Sequence, residues 1–429
     1  MKPTANERPL SPLRWWVCVL LMLATVVNYM DRMALNQMAK EIKAAFNMDN
    51  TEYGYLESIF SFAFALGAVL TGFLVDRASV RWVYPLMVIG WSVAGVLTGF
   101  AGSFAALLAC RFALGLFEAG NWPCGIRTTR AVLPPEERSF GNSLFQSGTA
   151  LGAVITPLVV LALVKWAAAN DFLETWRLPF RVIGALGLVW VALWFLTVPR
   201  SMIEPKEGET GHQGAARFSE VFADRRFWAL FAMVIAVNIT WHGYRTWLPL
   251  YLREQRGYTL EEMSGFTTVY YLIADVGSWT VGLLTLLFCK RGMGVHAARL
   301  LLYGICAALT MATLAVPFLP DGLALQAALL VVAFAALGLF PTYFALSQEL
   351  SSKHQGKVTG VLGASAHLSL AAIYPLEGWI CDKTGSYELV LGGIGVFPLL
   401  AFAAMAALWP PRAAPKPPVV PQEDDGNYS

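Results

Sequence analysis

The sequence predicts an all-α polytopic membrane protein: twelve transmembrane helices in two pseudo-symmetric six-helix bundles. Three observations carry this. The 429 residues are 56% hydrophobic and only 14% charged, with 15 Trp and 26 Phe, more apolar surface than one soluble core can bury. Apolar stretches long enough to cross a hydrocarbon layer about 30 Å thick recur along the whole chain. One long polar stretch interrupts them midway, six spans from each end. The expected organisation is an N-terminal bundle over 1–198, a linker over 199–226, a C-terminal bundle over 227–409 and a disordered tail over 410–429.

Taken in order, the spans are expected at 15–37, 54–75, 80–100, 104–127, 141–165, 178–198, 227–250, 264–288, 298–317, 323–346, 358–380 and 388–409. Lys2, Arg8 and Arg14 before span 1 mimic a signal peptide, but no small-residue cleavage site ends that run and eleven spans follow, so it is expected to stay. The linker contains Pro205, Gly208, Gly211 and Gly214, the composition of a flexible connection. The tail, Pro-rich from Pro410 to Pro421 and then acidic, lacks hydrophobic periodicity. An even number of spans puts both termini on one side. Most of the 31 Lys and Arg fall on that side, among them Arg77, Arg81, Arg127, Arg130 and Arg138. The positive-inside rule therefore makes it the cytoplasmic side of a cell (inner) membrane.

Several function classes are disfavoured. The net charge of +2 says nothing about nucleic acid, and no nucleic-acid partner is expected. Cys18, Cys110, Cys124, Cys289, Cys306 and Cys381 stand singly in mostly apolar surroundings, which fits packing and predicts neither disulfide nor metal site. There is no HExxH, no GxSxG and no soluble domain able to hold an active site, so no enzyme and no cofactor are expected. No obligate protein partner is evident. The remaining partners are the lipid bilayer and a small solute.

Charges inside the spans define that solute. Val26-Val27-Asn28-Tyr29-Met30-Asp31-Arg32 sets an acid beside a base within span 1. Arg32 at the end of a short span would snorkel to the surface. However, it lies about 27 Å along a core about 30 Å thick, and apolar residues continue to Ala39. Ionisable residues at such depth are costly and mark function by default. In span 4, Arg111 and Glu118 are two turns apart and share a face. Asp31 and Arg111 lie at similar depths, about 10 Å or less from the same surface on the 1.5 Å rise, so they are expected to pair. That pairing would leave Arg32 free for an anion, which its planar fork can grip with two parallel hydrogen bonds. Glu118, a carboxyl group in an apolar span, is the candidate proton carrier. A static ion network is the competing account of these charges. Tyr29, Tyr55, Asn121, Gln146, Trp241, His242, Tyr270, Tyr271 and His367 offer donors, acceptors and stacking faces to a polyhydroxy acid, although each also suits helix packing. Glu57 and Asp275 are further ionisable groups in spans, and either would serve as a structural partner for a buried Arg.

Gly72 to Arg81, GFLVDRASVR, joins spans 2 and 3, and a looser copy, GLLTLLFCKRGMG from Gly282 to Gly294, joins spans 8 and 9. The first is similar to the loop signature of the major facilitator superfamily, which implies a conformational latch made by Asp76, Arg77 and Arg81. Ser79 stands where a second glycine is usual, and the second copy has Leu286 in place of the acid. RFALGLFEAGNWP (Arg111 to Pro123), LFQSGTALGAVITP (Leu144 to Pro157), Asn28 to Arg32 and Trp176 to Phe180 resemble the anion:cation symporter branch, and within it the hexuronate and galactonate-like sugar-acid transporters. The second half agrees more loosely, through Trp247 to Glu262 and Thr384 to Tyr387. This resemblance implies a secondary active transporter importing a hexuronate or related sugar acid by proton symport with alternating access. It links Asp31 and Glu118 to proton coupling and Arg32 to the substrate carboxylate. WHGYRTW, Trp241 to Trp247, departs from the pattern by placing Arg245 in span 7. One arginine from each half suits an organophosphate or dicarboxylate antiporter using Arg32 and Arg245, against which Asp31 and Glu118 argue, since pure anion exchange needs no proton carrier.

Overall fold

The computed structural model describes residues 12–134, 137–203, 222–350 and 355–409. Most of the expected linker and all of the expected tail lie outside the described residues. Among the described residues the chain is helical and has no strand. The first six crossings are α1 (Leu13–Gln37), α3 (Asn50–Arg77), α4 (Val80–Thr98), α5 with α6 (Phe104–Glu118 and Asn121–Val132), α7 (Arg138–Ala169) and α8 (Arg177–Thr197); α2 (Ala39–Phe46) and α9 (Arg200–Ile203) are short. The next six are α10 (Arg225–Leu250), α11 (Leu260–Lys290), α12 (Val295–Thr310) continued by a 3-10 helix (Met311–Phe318), α13 with α14 (Leu323–Gly338 and Phe340–Leu350), α15 (Gln355–Thr384) and α16 (Glu388–Leu408). Among the described residues, eleven of these crossings are long and apolar enough to span a membrane; the other, α15, has the length at 30 residues.

Local chemistry sets the helix ends and bends. Asp49 with Glu52 and Thr259 with Glu262 form capping boxes that start α3 and α11, each satisfying donors that a helix N-terminus leaves open. Internal prolines cannot donate to the carbonyl four residues back, and other helices answer three of those carbonyls. Pro85 frees the Arg81 carbonyl, which accepts from Trp194 Nε1 at 3.2 Å. Pro398 frees that of Ile394, which accepts from Thr240 Oγ1 at 2.8 Å. Pro375 frees that of Ala371, which accepts from Ser58 Oγ of the other bundle at 2.5 Å. Span 4, expected to be continuous, breaks between α5 and α6 directly after Glu118, because Pro123 cannot bond the Ala119 carbonyl.

In lipid, apolar faces gain little by meeting one another, so close packing depends on small residues. A Cβ on Gly115 would sit 2.3 Å from the Phe60 carbonyl oxygen, and one on Gly67 2.2 Å from that of Leu116. These two glycines therefore press α5 against α3. Gly148 and Gly152 do the same for α7 against α1, where a Cβ would fall 2.4 Å from the Met22 oxygen and 2.8 Å from Tyr29 Cβ. Trp279, Leu283 and Leu196 are among the large apolar side chains left on the exterior, as a lipid-facing surface requires.

In the first bundle α1 packs on α7, α3 on α5 and α4 on α8; in the second α10 packs on α16 and α11 on α13. The bundles meet where α3 runs along α15 and α7 along α11. Taking the face where α1 begins as the near face, the two bundles are fastened at the far one. There Lys43 meets Glu254 at 3.0 Å, Arg253 meets Glu41 at 2.7 Å and Lys165 meets Glu261 at 2.8 Å. Asp382 of α15 accepts from the Asn50 and Thr51 backbone amides at 2.9 and 2.8 Å, capping α3 from across the seam. The side chains of two of the three latch residues expected at the near face are described. Arg81 Nη1 donates to the Val198 carbonyl within the first bundle, Arg77 is exposed beside Phe73, and the Asp76 side chain lies outside the described residues.

Candidate functional site

Three arginines and three carboxyl groups from α1, α3, α5 and α10 gather between the middle of the bundle and its far face, all of them buried. The close approach at Gly115 and Gly67 puts the Arg111 and Glu118 face of α5 against α3, and the Gly148 and Gly152 pair holds α7 against α1. Arg32 Nε donates to Glu118 Oε2 at 2.5 Å. The Arg32 guanidinium is 4.6 Å from the Phe64 ring centroid and 5.2 Å from that of Phe60, a flat apolar bed that fixes its plane. Among the described residues nothing accepts from its Nη groups, so the outer edge of the fork remains available.

The expected partnership of Asp31 with Arg111 is not the one the structure makes. Arg111 Nη2 lies 3.3 Å from Glu57 Oε1 and stacks 4.5 Å from the Phe60 centroid. Asp31 instead packs against α4 where Gly95 lacks a Cβ, and its Oδ2 has no hydrogen-bond partner. Depth along the helices matched; rotation about their axes did not. Arg32, expected to be free, is held by Glu118 through one edge only. Glu57, fully buried, is the hub: Asn36 Nδ2 donates to its Oε1 at 2.9 Å and Arg245 Nη2 to its Oε2 at 3.1 Å. It thus binds arginines from both bundles. Arg245 keeps Nε and Nη1 without partners although it is only 2% exposed.

The remaining candidates divide. Phe64 stacks on His367 at 4.1 Å, and the His367 and His242 rings are 6.1 Å apart, which links the Arg32 bed to α10 and α15; the Nδ1 atoms of both histidines are unpartnered. Trp241 Nε1 donates to Tyr29 Oη at 3.5 Å, and Trp241 packs edgewise on Tyr271. Tyr270 is buried with its hydroxyl unpartnered. Asn121 is already committed, accepting from Tyr84 Oη at 2.7 Å and donating to Thr25 Oγ1 at 3.1 Å. Tyr55 and Gln146 are exposed, and their side chains make no hydrogen bond among the described residues. Asp275 is half-buried on α11, with no arginine beside it among the described residues. Glu377, absent from the candidates above, is buried in α15 and accepts from Trp247 Nε1 at 2.7 Å. Its signal was an acid inside an apolar stretch, obscured by the neighbouring Pro375 and Gly378. A groove of about 620 Å³ on the far face, lined by Tyr258, Glu262, Asp321 and Gln326, is acidic and unsuited to an anion.

With every group ionised, Arg32, Arg111 and Arg245 balance Asp31, Glu57 and Glu118. Removing one member of such a set strands another in a low-dielectric site. Glu57→Gln is expected to lower the thermal unfolding midpoint in detergent by several degrees, in line with about 3 kcal/mol for a broken buried pair. An unchanged midpoint would mean that water reaches Arg111 and Arg245 and that the hub is dispensable.

Residues 21–355 match the model of the Major Facilitator Superfamily. A probable sulfoacetate transporter of Cupriavidus necator is 30% identical, the alignment covering 92% of this chain and 93% of that protein. The hexuronate transporter of Escherichia coli K12 is 25% identical over the same shares of the two chains. Among solved structures, a bacterial homologue of the human lysosomal transporter Spinster, described as inward-facing and unoccupied, superposes with a TM-score of 0.77. At 20% identity, covering 93% of this chain and 98% of that one, it shows a likeness of fold.

Proposed function

Because this chain belongs to the Major Facilitator Superfamily, we propose that it is a proton-coupled importer of a small organic anion, most similar in substrate to the hexuronates and other sugar acids. It is a multi-pass membrane transporter and not an enzyme. The observation that carries the coupling is the balanced set of three arginines and three carboxylates. An anion entering that neutral, buried set leaves it with an excess negative charge, at a cost of several kcal/mol in such surroundings. An anion entering with one proton leaves it neutral. Proton and substrate are thus favoured together.

In this reading the Arg32 Nη edge receives the substrate carboxylate, Glu118 releases Arg32 when it takes a proton, and Asp31, unpaired at Oδ2, is the second proton site. Tyr29, Trp241, His242 and His367 line the hydroxylated part of the ligand. The two bundles, divided at 199–226, rock about this site. The closed far face is periplasmic, the near face opens to the cytoplasm and carries both termini, and the membrane is the cell's inner membrane.

The unpartnered Nε and Nη1 of Arg245 favour a second reading, a dianion spanning Arg32 and Arg245. The similarity to a probable sulfoacetate transporter accords with it, sulfoacetate being a dianion, and electroneutrality then asks for two protons. Thermal-shift measurements with hexuronates, aldonates, aldarates, sulfoacetate and sugar phosphates separate the two, since a ligand of the folded state raises its stability by roughly 2.7 kcal/mol at a hundred times Kd. The expected result is stabilisation by monoanionic sugar acids that grows as pH falls. Stabilisation by dianions alone would select the second reading, and a response without pH dependence would remove proton coupling.

A further inference from the structure

Glu377 takes no part in the charge balance above. It lies in α15 at 3% exposure; Oε2 accepts from Trp247 Nε1 at 2.7 Å and Oε1 has no partner. No cation offsets it among the described residues. Arg245, on the facing helix α10, is held by Glu57, and Lys43, toward the far face, is held by Glu254. Around it on the packed elements lie Tyr53 and Glu57 on α3, Tyr244 on α10, Tyr374, Cys381 and Asp382 on α15 itself, and Tyr387 just before α16, all neutral or acidic. Of the basic groups, His367, ten residues back on α15, packs against His242 of α10, and Lys383 of α15 is exposed. An ionised Glu377 would therefore be a buried anion with one indole hydrogen bond and no counter-charge, an arrangement that burial strongly disfavours.

Its position gives that proton a consequence. The tightest packing between the bundles brackets Glu377: a Cβ on Gly54 would fall 2.5 Å from the Tyr374 carbonyl oxygen, and one on Gly378 2.2 Å from that of Asn50. If the far face opens, α3 and α15 part here and water reaches the carboxyl group. We propose that Glu377 is a proton-binding site of the far-face seam, which exchanges its proton with far-side water when α3 and α15 separate and must be protonated for them to close. This rests on the alternating-access reading. It is distinct from the protons that compensate the substrate, because Glu377 forms no ion pair with the arginines.

The test uses the full-length protein in lipid and two measurements. Infrared difference spectra of the wild type against Glu377→Gln at neutral pH are expected to show one deuterium-sensitive band of a protonated carboxyl group that the variant lacks. Cys381, one turn further along α15 and 2% exposed, reports on the seam through its labelling by a membrane-impermeant maleimide from the far side, followed by mass spectrometry. Taking the ratio of wild-type to Glu377→Gln labelling cancels the pH dependence of the thiol. That ratio is expected to be near one in acid and to rise several-fold as pH increases and the wild-type carboxyl loses its proton. No carboxyl band, or a flat ratio with Cys381 labelled in both proteins, overturns the proposal while leaving alternating access standing. Cys381 unreactive in both at every pH overturns alternating access and this proposal with it. If Glu377→Gln does not fold, Glu377→Asp must shift the band and the pH of seam opening; an unshifted profile overturns the proposal.

Discussion

Arg32→Lys is expected to weaken binding of the transported anion roughly 30- to 100-fold, the loss of one strong charge-assisted contact, in protein that still folds and inserts. Lysine keeps the charge but not the planar fork, and the proposed reading uses both edges of that fork. One edge of Arg32 is engaged by Glu118 through Nε while the Nη edge stays open, so a single side chain can hold the proton carrier and the substrate together. An ammonium group has no second edge, and it also forfeits the face contacts with Phe60 and Phe64. Titration calorimetry with whichever ligand raises the unfolding temperature most is the measurement. Unchanged affinity would move the anion away from Arg32 and toward Arg245.

Glu118→Gln is expected to abolish accumulation driven by an imposed pH gradient while leaving exchange of labelled for unlabelled substrate largely intact. Glutamine keeps the shape and can still accept from Arg32, but it cannot ionise, so the charge that ties proton to anion is gone. Paired flux in proteoliposomes, net uptake under a gradient beside counterflow without one, reads both quantities on one preparation. Normal accumulation would transfer the carrier role to Asp31. Loss of both fluxes in folded protein would make Glu118 a structural partner of Arg32 instead.

Both predictions concern residues conspicuous in the sequence as an acid and a base in apolar spans, with roles that the family resemblance also implies. Their partners were less legible. The 1.5 Å rise per residue gives the depth of Asp31, Arg111 and Glu118 from the sequence, and on depth Asp31 suited Arg111. Pairing also depends on how each helix is rotated and which helices touch, and these follow from small residues such as Gly115, Gly67 and Gly95 acting across helices. Hence Glu57, noted only as a general structural partner, proves to join Arg111 to Arg245. Glu377 carried the same signal as Asp31, an acid in an apolar stretch, and its setting beside Trp247 became visible only with α10 and α15 packed.

The sequence by itself determined that the chain is a helical membrane protein, where its crossings fall and that anionic chemistry is buried among them. Those properties follow from hydrophobicity summed over about 20 residues and from the cost of placing charge in hydrocarbon, and both are local. Only the tertiary structure decided which acid meets which arginine, that one edge of Arg32 is left open, and that ion pairs fasten the bundles at the far face. Each of these depends on contacts between residues far apart in sequence, such as Lys43 with Glu254 and Asp382 with the amides of Asn50 and Thr51, whose geometry is fixed by packing and not by any periodicity along the chain.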